Sequence, residues 1–307
     1  MNLRLLLDRK NWEKLFFVYR HNKNNSKMEM AYNHYDASIK VYGFYHAYCM
    51  CDNWELLVEE QLKHIRESGL YNRMDKLFMG VLINSESIAK LTRIVSDYPK
   101  IEILYTNVDR TLFEYPTLMK MQQKCREETF IGFYFHTKGI SWINKPKVYN
   151  VGNTWRLMAE YFMFDKYKIA IHSLVLGGAD VYGTNYQKIF NNKFRIIGGN
   201  FFWFRSDYVS GLYTLQVNKS DRNESEKWIL SNTCNVYCPF YFSGNSRNDA
   251  IPSELYMPSK KYVRLQRATV IYFKRFVYLF RRLLGLKVDL INLNGIVHTQ
   301  NIINQKK

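Results

Sequence analysis

The feature that most constrains this chain is an alternation of hydrophobic period. Between Lys40 and His136, short apolar runs alternate with segments whose apolar residues recur every three or four positions. The first is the signature of strands and the second of helices. Val41–His46 reads as a strand. Asp52-x-x-Glu55 has the form of a capping box, and Trp54, Leu57, Val58, Gln61, Leu62 and Ile65 behind it keep the helical period. Gly69 suits the stop of that helix. Leu77–Ile83 is predicted as a strand, Ser85–Val95 as a helix and Ile101–Tyr105 as a strand. Pro116 is placed to open a helix through Leu118, Met121 and Cys125. Phe130–Phe135 reads as a strand apolar on both faces.

Strand, helix and strand in repetition imply an α/β fold with a mostly parallel central sheet flanked by helices. Ligands of such sheets sit beyond the carboxyl ends of the strands. The segments after His46, Tyr105 and Phe135 are therefore where chemistry is expected. The second half is less regular. It reads as a helix over Trp155–Phe164, a short strand over Ala179–Gly183, a strand-like run with a double glycine over Ile196–Arg205, and a short helix over Ser225–Leu230. Three units follow: an N-terminal extension (1–38) made of a short helix and a loose connector, a main domain (39–258), and a basic C-terminal segment (259–307).

Composition excludes some classes. Apolar residues make up 47% and charged residues 23%, which is too apolar for a disordered chain. No apolar run reaches the roughly 18–20 residues of a membrane span, and the first twenty residues are too broken by charge for a signal peptide. The five cysteines fit reduced cytosolic thiols. The spacings Cys49-x-Cys51 and Cys234-x3-Cys238 are wrong for the usual zinc knuckles.

The net charge of +17 points to an anionic partner: nucleic acid, a phosphorylated substrate or a membrane surface. More than half of that excess lies in one stretch, Lys260 to Lys287, which contains no acid. As a helix, its cations before Lys287 fall within an arc of about 160°, with Leu265, Tyr272, Phe273, Phe276, Leu279, Phe280, Leu283 and Leu284 mostly opposite. A basic amphipathic C-terminal helix of this kind suits an anionic membrane surface. The body of the chain lacks the basic and aromatic patterns of nucleic-acid modules, so no nucleic acid is expected as partner.

Three clusters carry chemistry. Tyr134-Phe135-His136-Thr137-Lys138-Gly139 is a polar cluster at the carboxyl end of a buried strand. Lys138 offers a compact positive charge for phosphate oxygens, His136 a hydrogen bond, and Gly139 a close backbone approach. Gly198-Gly199-Asn200-Phe201-Phe202-Trp203 offers bare backbone, an amide and flat aromatic faces on which sugar rings stack. Arg222-x3-Glu226-x-Trp228-Ile229 supplies a carboxylate able to take a proton from a hydroxyl nucleophile.

Together these clusters resemble a group of bacterial glycosyltransferases that build capsule and other surface polysaccharides. The resemblance covers about Ile39 to Pro239. Its motifs here are Tyr45-His46; Ser68-Gly69-Leu70-Tyr71; Glu114-Tyr115-Pro116-Thr117-Leu118; His136-Thr137-Lys138-Gly139; Trp155-Arg156 with Glu160-Tyr161-Phe162; Asp180-Val181-x-Gly183-x-Asn185; Gly199-Asn200-Phe201-Phe202-Trp203; and Glu226-x-Trp228-Ile229. The resemblance implies a GT-A-like fold, a nucleotide-sugar donor held by the first half, and an oligosaccharide or lipid-linked acceptor held by the second. It implies Glu226 as catalytic base, with Glu114 and Asp180 in reserve. His46, Glu114, His136, Thr137, Lys138, Gly139, Arg156 and Asp180 would bind the donor. Gly199, Asn200, Phe202, Trp203 and Trp228 would bind sugar. Many GT-A enzymes hold a divalent metal with Asp-x-Asp, and this chain has none. A metal-free reaction is therefore expected, with Mg²⁺ or Mn²⁺ on Glu224-x-Glu226 as the alternative. The expected location is cytoplasmic, at the inner face of the cell membrane. Two other readings compete: a nucleic-acid binder, and a non-catalytic carbohydrate-binding relic of the same fold.

Overall fold

A computed structural model describes residues 24–189, 194–221, 223–242, 249–257 and 296–298. The basic stretch 260–287 lies outside these residues. The first half alternates as its periodicity dictates. It runs β1 (Val41–Cys49), α1 (Trp54–Glu67), β2 (Lys76–Ile83), α2 (Ile88–Ser96), β3 (Ile101–Asn107), α3 (Tyr115–Glu127) and β4 (Ile131–His136). The second half holds α4 (Pro146–Glu160), a π turn over Tyr161–Asp165, α5 (Tyr167–Val175), β5 (Val181–Gly183), β6 (Tyr186–Ile189), β7 (Phe194–Ile197), β8 (Phe202–Arg205), α6 (Asn223–Trp228), β9 (Asn235–Tyr237) and β10 (Ile296–His298).

The main sheet has the order β10-β9-β5-β8-β4-β1-β2-β3, and β6 and β7 form a separate hairpin. β4, β1, β2 and β3 are parallel. β8 runs against both β4 and β5, while β9 runs with β5 and β10 against it. The reversed β8 decides where the site lies. Its first residue, Phe202, pairs with Tyr134 near the end of β4 and with Gly183 at the end of β5. The turn entering β8 therefore sits over the carboxyl ends of both strands.

Alternation along the strands sorts side chains into two cores. Tyr45, Phe133, Phe135 and Trp203 face α1 and α5 on one side. Phe44, Tyr134, Phe202 and Phe204 face α3 and α6 on the other. α4 packs on Phe240, Phe242 and Tyr256 in a smaller cluster.

Several sequence expectations need correction. The capping box at Asp52 does not form: the residue before the helix is Asn53, at φ 58° and without a side-chain cap bond. An N-cap needs extended backbone, and the turn from β1 into α1 uses a left-handed residue instead. His46 does not end β1, which runs three residues further to Cys49. Ile196–Arg205 is not one strand. It splits into β7 and β8, in different sheets, around Gly198–Phe201. Residues 24–38 are not a loose connector either. Asn25 donates to the Pro239 carbonyl at 3.0 Å and accepts from Tyr237 at 2.8 Å, and buried Asp36 meets His172 Nδ1 at 2.8 Å. Of the C-terminal segment, residues 296–298 pair with β9 at the edge of the sheet.

Candidate functional site

The site is built at the carboxyl end of β4. Glu114 stands at the N-cap of α3. Its Oε2 accepts from Tyr134 Oη at 2.7 Å and from Asn200 Nδ2 at 2.6 Å. Its Oε1 lies 3.5 Å from His136 Nδ1. Burial acts to raise the Glu114 pKa, but the imidazoles of His136 and His46 and the two hydrogen bonds outweigh it. The carboxyl is held below its ordinary range, so it stays anionic.

His136 completes the contact between the strand end and the glycine turn. Its ring faces the Gly199 carbonyl at 3.0 Å through Nε2. A carbonyl only accepts, so Nε2 carries the proton and donates. Nδ1 is then the atom that can take a further proton, and it faces Glu114. Burial lowers the His136 pKa; Glu114 opposes this and Lys138 adds to it, leaving a net depression. The ring is neutral near neutral pH.

The glycine turn is shaped by its backbone. Gly199 and Asn200 both have positive φ, at 89° and 57°. Lys138 lies across Gly199: a Cβ there would stand 3.2 Å from Lys138 Cε and 3.5 Å from Nζ. Gly139, at φ 84°, turns the chain away from the strand. Thr137 is buried and pins the loop. Its Oγ1 accepts from the Tyr48 amide at 2.8 Å, and its own amide donates to the His46 carbonyl at 3.2 Å.

Two further groups border this cluster. His46 Nδ1 lies 2.9 Å from Thr117 Oγ1, and Tyr105 Oη lies 2.6 Å from the same oxygen. Burial drives the His46 pKa down to about 4, so this imidazole is neutral. Glu226, half-buried on α6, acts electrostatically on both His136 and Tyr134 and raises the pKa of each. An open concavity lined by Gln216, Val217, Asn218, Lys219, Ser220 and Glu224 adjoins α6.

Five expected site residues are placed elsewhere. Trp203 is fully buried and donates through Nε1 to the Met163 carbonyl at 3.0 Å, so no ring face is open to a sugar. Phe202 is also fully buried, stacked on Tyr134 at 5.2 Å. Trp228 is buried and donates to the Tyr213 carbonyl at 3.0 Å. Aromatic residues on a strand or helix that meets a core bury their rings there, because that area is their largest contribution. Asp180 precedes β5 and accepts from the Asn235 amide at 2.8 Å. It lies at the opposite end of the sheet from the site.

Arg156 is the fifth. It is 1% exposed. Its N–H groups are directed to Glu160 (2.8 and 2.9 Å), Glu60 (2.8 Å) and Asn153 (3.0 and 2.6 Å). Those contacts engage all three guanidinium nitrogens, and with the side chain this buried the group is not presented to a diphosphate. Its charge instead balances Glu160, a fully buried carboxylate. Gln61 links that pair to the site, donating to Glu160 Oε1 at 2.7 Å and to the His136 carbonyl at 3.2 Å. Tyr45 Oη in turn donates to Gln61 Oε1 at 2.7 Å.

Tyr134 and Thr117, which fall inside quoted motifs without a role of their own, and Tyr105 and Gln61, which fall in none, all belong to the polar networks. Each sits in an apolar periodic segment and reads as core. Among the described residues no group of three or more His, Cys, Asp or Glu side chains is gathered as a metal site. Glu224 accepts from Asn218 Nδ2 at 3.2 Å. Comparison with family models, with curated proteins and with solved structures finds no match for this chain.

Proposed function

We propose that the chain is a glycosyltransferase that moves a sugar from a nucleotide-sugar donor onto a surface polysaccharide or lipid-linked acceptor. One observation carries this reading. The His136–Gly139 loop and the Gly199–Asn200 turn, far apart in sequence, meet through the His136–Gly199 contact at the carboxyl end of the sheet, with Glu114 beneath them. That is the edge where α/β sheets hold ligands. The mostly parallel α/β sheet, which we read as GT-A-like, and the eight sequence motifs are consistent with the same reading.

In the mechanism that follows, Lys138 meets the charge of the departing nucleoside diphosphate. Charge-assisted contacts of this kind stabilise a leaving group where the charge develops. His136 does not touch the diphosphate, because one ring nitrogen is committed to Gly199 and the other faces Glu114. It holds the turn in register instead. Glu226 takes the proton of the acceptor hydroxyl, which attacks the anomeric carbon from the side opposite the diphosphate and inverts it. Glu114 stays anionic and positions Asn200. The acceptor approaches along the concavity beside α6. A divalent cation, if used, would be held by Glu224 and Glu226.

The test is a transfer and hydrolysis assay of the purified full chain against a panel of nucleotide-sugars, with and without excess chelator. Turnover that survives chelation supports the metal-free reaction, and total loss moves the phosphate partner to a metal. No turnover and no nucleotide binding by thermal shift would overturn the reading. Location at the inner leaflet rests on the sequence of residues 260–287. Among the described residues no helix is long and apolar enough to cross a membrane. Replacing the cations of 260–287 by Gln should abolish sedimentation with anionic vesicles. Truncation is the poorer test, since it also removes β10.

A further inference from the structure

Three buried polar atoms near the turn have no hydrogen-bond partner among the described residues: Thr184 Oγ1, Asn185 Nδ2 and Asn200 Oδ1. Thr184 is 2% exposed, Asn185 0% and Asn200 1%. Leaving such a group unpaired costs stability, so three together call for an explanation. They are gathered by topology. Thr184 and Asn185 follow β5 directly, and Asn200 leads into β8, the neighbour of β5. The Gly198 amide contacts the carbonyls of both Thr184 and Asn185, at 3.2 and 3.0 Å.

The orientation of both amides is determined by their other partners. Asn200 gives its Nδ2 to the Glu114 carboxylate, which only accepts, so the atom left over is an acceptor. Asn185 Oδ1 accepts from the Phe242 amide at 2.7 Å, so the atom left over is a donor. Thr184 contributes a hydroxyl that does both. At the turn the unmet set is therefore one acceptor, one donor and one group of either kind, and none of these three carries charge; Tyr186 Oη and Arg195 Nε, also unmet, belong to the β6–β7 hairpin beyond it.

We infer that Thr184, Asn185 and Asn200 form the subsite that reads the hydroxyl groups of the transferred sugar, and that this sugar is neutral. A sugar hydroxyl donates and accepts at once, which matches a mixed, uncharged set. An anion would need donors only, and an apolar group would need none. Lys138 covers the neighbouring Gly199. When its Nζ turns to the diphosphate of an arriving donor, its chain lifts off the turn and opens the way to these atoms. Charge and sugar are then read in one motion. The inference rests on the glycosyltransferase reading and adds to it the sugar class and two residues, Thr184 and Asn185, with no role so far.

The decisive variant is Thr184→Val, with Thr184→Ser as its conservative partner. The full chain is titrated by calorimetry with UDP and GDP, and with UDP-glucose, UDP-galactose, GDP-mannose and UDP-glucuronic acid. Thermal unfolding is followed without ligand. The expected result has four parts. The wild-type chain binds one neutral nucleotide-sugar more tightly than its parent nucleotide and rejects the uronic acid. Thr184→Val loses about five- to tenfold of that extra affinity while its affinity for the parent nucleotide is unchanged. Thr184→Ser keeps the extra affinity. The ligand-free Val variant melts at or above the wild-type temperature, because an unmet hydroxyl has been removed. A Val variant that melts lower and keeps its sugar preference would show the hydroxyl to be structural and overturn the inference. So would a wild-type chain that binds nucleotide and nucleotide-sugar equally, although the proposed function would survive that result. A chain that binds no nucleotide at all would remove both.

Discussion

Two buried polar networks lie on either side of the His136 backbone, and they are finished to different degrees. In the first, all three guanidinium nitrogens of Arg156 are engaged, by Glu160, Glu60 and Asn153. Glu160 is further held by Gln61 and faces His64 at 3.6 Å. In the second, Glu114, His136 and Asn200 are linked to one another and Lys138 lies beside them across Gly199, yet Asn200 Oδ1 and the nearby Thr184 and Asn185 atoms are unmet. The first network ties α1, α4 and the π turn together and supports the second from behind. The second borders the end of the sheet. A charge that is fully paired has nothing left to offer a ligand; a polar group left unpaired at a cost in stability is where a ligand has something to add.

This contrast can be tested from both sides. The largest effect is expected at Glu226→Gln, which should lower turnover by about 10²–10⁴-fold, the contribution of one general base. Its melting temperature should match wild type, and a parallel loss of stability would dissolve the distinction between the networks. Next comes Glu160→Gln, which leaves the Arg156 charge buried without its main partner. Denaturant titration should show a loss of about 3–5 kcal/mol; a loss of activity alone would make this network part of the chemistry. Lys138→Ala should weaken nucleoside diphosphate binding by roughly 10–100-fold, as loss of a charge-assisted contact does. An unchanged dissociation constant would remove Lys138 from the phosphate seat.

The smallest effect is the pH dependence carried by His64. Burial opposes its charge, but Asp165 at 2.7 Å and Glu160 outweigh burial and raise its pKa to about 9. A raised histidine stabilises the fold fully below its ordinary value of 6.5, and the contribution is lost as pH rises through about 9. The wild-type midpoint of unfolding should therefore fall between those two values. In His64→Gln that component of the fall should vanish, and a slope identical to wild type would place the linkage elsewhere. His46 works in the opposite sense. Its depressed pKa gives stability at neutral pH that fades as pH drops from 6.5 toward about 4.

Much of the first half was legible because each of its elements declares itself locally. Leu57, Leu62 and Ile65 must share a face of one helix, and Leu77–Ile83 must be buried on both sides. Pro116 and Gly69 mark helix ends by their backbone limits alone. In the candidate site, His136, Lys138, Gly139, Gly199 and Asn200 were visible because polar residues and glycines closing an apolar strand stand out. Trp203, Phe202 and Trp228 misled for a related reason. A ring that stacks on a sugar and a ring that packs in a core have the same composition, and only the face it points to separates them. Arg156 misled because a cation declares its charge in the sequence and hides its partners. Glu160 and Asn153 are near it in the chain, but Glu60 is not, and the three together hold the guanidinium inside the fold.

The sequence by itself determined the α/β alternation and the strand ends at which polar residues collect. Periodicity and backbone limits act over a few residues and need no tertiary context. Only the tertiary structure decided that β8 runs backwards between β4 and β5. That reversal brings Asn200 to Glu114, 86 positions apart in the chain, and sets Thr184 and Asn185 beside the same turn. Which hydrogen bonds are made and which are left open depends on distances between segments remote in sequence, and no local pattern encodes those distances.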